Sequence, residues 1–332
     1  MYVQFSARVP RFKYGYQWQY NGEVGEWLID YRLEKAPQDE VRRNFSSADR
    51  VLTEYPDSLF DFYDPFVADP ALFRNFAELG SFAEYRSEEY LTIDDDKPNR
   101  VLQFVNRYGD LSGSFAESSW IEMRQLGKIH GCASWFRAAV ELQEAVRRSD
   151  EDRLARFLEW DNQFRRWTFR HTTVLGAMFN FSIRSVPATW TQKGHIVDRG
   201  KEALELTITH FLSRQQFRTA IARQPLGPRT VLTCQVSTLL DAMWMQFASA
   251  VADEKQYQQC AFCHKWFSKG EAAAGRRRRR EDQTFCTQSC RVKAYQHRQT
   301  KARQMRRNGT KLPDIARTVA TDLPTLKKWL GE

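Results

Sequence analysis

The chain reads Cys260-Ala261-Phe262-Cys263 and then, after 22 further residues, Cys286-Thr287-Gln288-Ser289-Cys290. Cys-x2-Cys offers two thiolates from one tight knuckle whose backbone N–H groups can point at the sulfurs. Cysteines at i and i+4 lie on one face of a first helical turn, where the helix dipole favours thiolate. The two pairs predict one closed four-sulfur site, a single structural Zn²⁺ per chain held by Cys260, Cys263, Cys286 and Cys290. Knuckle, hairpin-like excursion and helix in that order make a treble-clef finger. A redox disulfide fits less well, because no thioredoxin-like strand–helix context surrounds either pair. A catalytic zinc keeps an open position and leans on His or carboxylate ligands, so four cysteines argue for a structural ion. His264 and His297 read as ordinary surface histidines.

Charge spreads unevenly outward from this stretch. The total is +9, but residues 255–332 carry 19 Lys/Arg against 6 Asp/Glu, while residues 1–254 carry 31 against 35. A net +13 tail on a net −4 body is the electrostatic footprint of a nucleic-acid-binding segment. Within the excursion Arg276, Arg277, Arg278, Arg279 and Arg280 are adjacent; five like charges repel one another, which predicts an exposed segment that orders against phosphates. Past Cys290 come Arg291, Lys293 and Arg298 on a basic helix that Asn308-Gly309 ends. Leu312, Ile315, Ala316 and Val319 then pattern one short helix. Asp322 caps a second, with Leu323, Leu326, Trp329 and Leu330 inward and Thr325, Lys327 and Lys328 outward. Two short helices about a tight turn predict a helix-turn-helix.

The chain is 42% hydrophobic, enough for a sizeable core in the body before the knuckle. Tyr14 to Tyr20 followed by Asn21-Gly22 suits a small β element with a tight turn. Helical signals follow from Ser58: Asp96 capping a helix that Gly109 stops, and a capping box at Ser119 to Glu122 opening a helix with Ile129, Cys132, Ala133, Phe136 and Val140 on one stripe. Leu154, Phe157 and Leu158 continue the helical pattern, and Trp160, Phe164, Trp167 and Phe169 form a dense aromatic patch, core packing or the lining of a ligand pocket. After a connection from Pro187 to Gly200, helices resume at Leu204 to Leu212, and a last one runs from Val236 to Phe247. Cys132 and Cys234 read as reduced core cysteines within helical patterns. The expected fold is mostly α, divided into a helical aromatic-rich domain (1–255), a four-cysteine finger with its basic helix (256–307) and a helix-turn-helix (308–332).

Cys260-x2-Cys263, Trp266-Phe267 and Phe285-Cys286-Thr287-Gln288-Ser289-Cys290-Arg291-Val292-Lys293-Ala294-Tyr295, with Arg298 beyond, resemble the CGNR-type zinc-finger family, bacterial proteins with a helical ABATE-like N-terminal domain. Similar segments recur around Val101 to Gly109. Arg291-Val292-Lys293 stands where the family's name has Gly-Asn-Arg, so the basic residue at Lys293 alone is kept. The resemblance implies a transcriptional regulator. The sequence therefore predicts a cytosolic zinc-containing protein that binds duplex DNA, with RNA binding or ribosome association as the alternative and a treble-clef nuclease behind that. A small-molecule or protein effector on the N-terminal domain and a homodimer are both compatible with this reading. No triad order, P-loop, nucleotide-binding glycine turn or HExxH occurs, so no enzymatic role is expected, and no apolar run suits a membrane span.

Overall fold

In the computed structural model, residues 3–7, 9–13, 16–21, 26–31, 35–38, 60–80, 96–109, 111, 126–170, 172–176, 179, 187–213, 218–223, 230–236, 238–269 and 283–331 are described. They fall into two compact units, Met1–Asp253 and Glu254–Glu332, and the fold is mostly helical with short strand pairs.

The first unit opens with β1 (Val3–Ala7), β2 (Val9–Phe12), β3 (Tyr16–Asn21), β4 (Glu26–Tyr31) and β5 (Phe60–Tyr63). Helices α1 (Pro65–Ala68), α2 (Leu72–Ala77), α3 (Asp96–Tyr108), α4 (Leu126–Arg148) and α5 (Glu151–Leu154) follow. Then come the hairpin strands β6 (Leu158–Asp161) and β7 (Arg166–Phe169), a 3-10 turn at Ala188–Thr191, α6 (Ile196–Ser213), β8 (Arg218–Arg223), β9 (Thr230–Val236) and α7 (Leu239–Ala252). β9 is the middle of a three-stranded sheet, parallel to β1 and antiparallel to β8. The remaining strands pair two by two, β2 with β5, β3 with β4 and β6 with β7, all antiparallel.

Apolar periodicity explains where the core sits. Ile129, Cys132, Ala133 and Phe136 are buried along α4 as the stripe predicts, and Ala139, Leu142 and Ala145 extend it. Aromatic rings from four helices meet there: Phe136 stacks on Trp244 at 3.9 Å, Trp244 on Phe211 at 3.8 Å, and Phe76 meets Phe136 edge-on at 5.5 Å. Fully burying one such ring stabilises the fold by about 2–3 kcal/mol, so this column dominates the unit's cohesion. The end of α2 rests directly on α4, since a Cβ at Gly80 would lie 2.4 Å from the Ala133 and Ser134 backbone. Arg137 donates to the Gly80 carbonyl at 3.0 Å across the same junction. Local signals set the ends: Asp64 caps α1 by accepting from Phe66 N, and Gly109 stops α3 at φ 91°.

Several sequence expectations are corrected by the strand pairing. The helical pattern read through Phe157 and Leu158 ends at Leu154, because Leu158 opens β6 and pairs with Phe169. Cys234 is a strand residue, paired with Phe5 and Thr219, and Val236 ends that strand instead of starting the last helix. Thr238 is the cap of α7, its hydroxyl accepting from Asp241 N at 3.0 Å. Helix α6 begins at Ile196, so Gly200 is inside it; a Cβ there would meet Leu154 at 2.7 Å. The Tyr16–Asn21 strand forms the expected hairpin, but Asn21 pairs with Glu26, a longer connection than an Asn-Gly turn requires. The capping box at 119–122 lies outside the described residues. Among the described residues no helix is long and apolar enough to cross a membrane.

Burial pushes the Asp241 carboxyl up to about 6 against the Thr238 hydrogen bond, which lowers it. The folded form thus holds this proton more tightly than the unfolded chain, whose carboxyl titrates near 3.9. The stabilising contribution is present below about pH 4 and is lost as pH rises through about 6. Asp241→Asn is expected to flatten the pH dependence of melting between pH 4 and 7, with the variant gaining on the parent toward pH 7. Parallel melting curves for the two proteins across that window would contradict this.

Candidate metal centre and helical hairpin

The second unit starts with the antiparallel strands β10 (Gln256–Gln259) and β11 (Trp266–Lys269). Cys260 and Cys263 occupy the turn between them. Cys260 N donates to Lys265 O at 2.9 Å and His264 N to Cys260 O at 3.0 Å, closing the knuckle, with His264 at φ 57°. Helix α8 (Gln288–Arg307) begins just beyond Cys286, and its cap Thr287 accepts from Cys290 N at 3.1 Å. The knuckle is tied to the helix approach by Ala261 N donating to Thr284 O at 3.0 Å.

These contacts bring the four predicted sulfurs together. All lie within 4.8 Å of one another, with Cys263 and Cys286 at 3.5 Å and Cys286 and Cys290 at 3.5 Å. None is in a disulfide. Burial raises the Cys260 thiol, but backbone N–H groups of Cys263, Cys286 and Phe262 outweigh it and bring it down to about 6. Cys286 goes the other way, pushed up to about 12 by burial and by the neighbouring Cys290, Cys263 and Cys260 sulfurs. The amide cradle therefore favours a thiolate at Cys260, and ionising Cys286 beside it calls for a cation among the sulfurs. The cluster can hold a metal ion, in a zinc-finger-like element.

Helices α9 (Leu312–Thr318) and α10 (Leu323–Leu330) form the expected hairpin. Gly309 at φ 78° ends α8, Asp322 caps α10 by accepting from Thr325 N at 2.8 Å, and Gly331 at φ 76° closes it. Ile315, Ala316, Val319, Leu326 and Trp329 make its core, and Ala302 of α8 completes it, with Met305 packed alongside. Tyr295, also on α8, accepts from Trp329 Nε1 at 2.8 Å with the rings edge-to-face at 5.3 Å, and Arg303 Nε donates to Trp329 O. The basic helix thus turns Ala302 and Met305 inward, while Tyr295, still 42% exposed, reaches the hairpin through its contact with Trp329. Sequence reading missed this face; the seven-residue spacing of Tyr295 and Ala302 in an otherwise polar helix was its signal.

The candidate nucleic-acid residues divide by position. Arg291 and Lys293 are exposed on α8, Arg298 is half-buried, and Lys327 and Lys328 are exposed on α10. Thr325 is half-buried and its hydroxyl donates to Asp322 Oδ2 at 2.9 Å, so it serves the cap. Leu323, expected inward, is 42% exposed: the first residue of α10 precedes the turn that docks Leu326 and Trp329. Arg276, Arg277, Arg278, Arg279 and Arg280 lie outside the described residues. In the turn between α9 and α10, Ala320 is held at φ 49°, a left-handed conformation that disfavours a Cβ. Ala320→Gly is expected to stabilise this unit by about 0.5–1 kcal/mol, the steric relief less the added chain entropy. A lowered denaturation midpoint would refute it.

Comparison of the chain with protein-family models, with curated proteins and with solved structures gave no match.

Proposed function

We propose that the chain is a zinc-containing, DNA-binding regulator, cytosolic and without catalytic activity, whose zinc finger and helix-turn-helix act as one binding module. The observation that carries this reading is α8 itself. It holds Cys290 in its first turn, packs against both helices of the hairpin through Tyr295, Ala302 and Met305, and has 7 Lys/Arg and no Asp/Glu in its 20 residues. A helix so charged, anchored at both ends, is a rigid basic surface for phosphates. Zinc suits the cluster: sulfurs about 2.3 Å from a tetrahedral Zn²⁺ are about 3.8 Å apart, and the thiols lie 3.5–4.8 Å from one another. Four thiolates close the coordination shell, which favours a structural ion and disfavours the nuclease reading. Duplex DNA is favoured over RNA because the hairpin offers α10, with Lys327 and Lys328 outward, as a groove-reading helix.

Competition among duplex DNA, single strands and structured RNA at one fixed salt tests the reading directly, and preference for structured RNA would overturn it. On duplex DNA, log K should fall with log salt by about 0.9 per phosphate contact. Replacing Arg276, Arg277, Arg278, Arg279 and Arg280 with Ala should flatten that slope and leave sequence preference in place, since phosphate contacts position and do not specify. An unaltered slope would make the run spectator charge.

A further inference from the structure

The aromatic patch of the first unit is split by the β6–β7 hairpin. Phe169 is buried at 2% exposure and Phe164 stands out at 61%. Between them Trp160 and Trp167 pair across the strands, rings 5.9 Å apart and edge-to-face at 76°. A ligand pocket also needs convergent polar groups, and these arrive from a part of the chain that sequence does not link to the patch. A cleft of about 410 Å³ is lined by Trp160, Asn162 and Arg165 of the hairpin, by Thr191 at the end of the 3-10 turn and by Lys193 beyond it. Its size falls within the range of small-molecule sites.

The charges in this cleft are one-sided. Among the described residues two cations line it and no carboxylate does. The acids closest in sequence are engaged elsewhere: Asp161 accepts from Gln163 N and Phe164 N at 2.8 and 3.1 Å, Glu159 pairs with Arg170 at 3.7 Å, Asp198 pairs with Lys201 at 3.5 Å, and Glu202 accepts from Arg199 and Thr189. Lys193 Nζ lies over the Trp160 ring at 5.7 Å. Neither Lys193 nor Arg165 has a carboxylate partner among the described residues. Arg165 is held at φ 48°, where Gly or Asn would be unstrained. In the same hairpin the indole N–H of Trp167 is buried with no acceptor, a donor left over where buried donors are normally paired.

We propose that this cleft binds a small organic anion, a flat ring carrying a carboxylate or phosphate. The anionic group lies between Lys193 and Arg165, with Asn162 and Thr191 as neutral hydrogen-bonding groups, and the ring lies against Trp160. The proposal concerns the first unit alone and does not depend on DNA binding by the second.

The test follows the indole N–H resonance of Trp160 by NMR in the full chain, assigned with Trp160→Phe, because a local signal is blind to anions gathered by the basic tail. The probes are benzoate, phenyl phosphate, inorganic phosphate, benzyl alcohol and benzylammonium. Benzoate or phenyl phosphate should shift the resonance saturably with Kd of about 1 mM, as befits ligands of so few atoms. The stronger of the two identifies the anion. Inorganic phosphate, benzyl alcohol and benzylammonium should bind at least about tenfold more weakly. Arg165→Gln with Lys193→Gln should weaken the anionic probes by about tenfold or more, with melting unchanged because both side chains are exposed and Gln leaves the backbone preference at 165 as it was. Equal binding of the neutral or cationic ring, equal binding of inorganic phosphate, no saturable shift, or full binding by the double variant would each overturn the proposal.

Discussion

Cys286→Ser is expected to abolish stoichiometric metal binding by the four-cysteine cluster and to unfold the knuckle, while Met1–Asp253 keeps its own melting transition; this is the largest effect expected of any single substitution in the chain. Structural zinc contributes roughly 10–16 kcal/mol to modules that bind it only when folded. Cys260 and Phe267 are the buried apolar side chains of the described segment 256–269. Cys286 is the right target, since it is the cysteine with another sulfur at 3.5 Å on each side, Cys263 and Cys290. The three helices from Gln288 onward retain a core of six buried residues, too small to be more than marginally stable without the staple. Amide hydrogen exchange on parent and variant checks both statements. Exchange should become fast over residues 256–269 and quicken over 288–331, with little change in α4 and α7. Undiminished protection over 256–269 in a metal-free variant would mean the cluster is not what folds this segment.

Trp329→Ala is expected to destabilise the second unit by about 3–5 kcal/mol, the usual result of truncating a large buried aromatic. Trp329 is only 6% exposed, and its removal opens the space against Leu326 and Ile315 while leaving the Tyr295 hydroxyl without its indole donor. Two controls separate these contributions. Trp329→Phe keeps most of the packing and should lose about 1–2 kcal/mol, part of it the hydrogen bond. Lys328→Ala, on the exposed face one residue earlier, should stay within about 0.5 kcal/mol. Chemical denaturation of the metal-loaded chain, with the second unit's transition followed separately, reads all three. If Trp329→Ala were as mild as Lys328→Ala, the seam between α8 and α10 would carry no stability, and α8 could not be the common support of cluster and hairpin.

What could be read from sequence is what short-range chemistry dictates. Each cysteine pair is legible because a knuckle holds Cys260 and Cys263 and a helix start holds Cys286 and Cys290, while the Ala261–Thr284 backbone bond ties the two pairs together. Gly309 and Asp322 mark helix ends because caps and left-handed residues act within one turn. The stripe on α4 survived for the same reason: 3.6-residue periodicity repeats locally. The failures share the opposite cause. Cys234 and Val236 sit in a run that suits a buried strand or a helix, and the hydrogen bonds that decide between them come from Phe5 and Ala7, near the other end of the unit. The contact of Tyr295 with the hairpin was not legible because its partner, Trp329, is 34 residues on. Lys193 gave no sign of meeting Trp160 until the hairpin and the 3-10 turn were placed side by side. Sequence alone determined the two cysteine pairs, the caps and the helical periodicity, because each lives within a few residues. Tertiary structure decided which face of α8 is buried, which apolar runs are strands and where cations gather on an aromatic surface, because those depend on partners that the chain's order does not bring near.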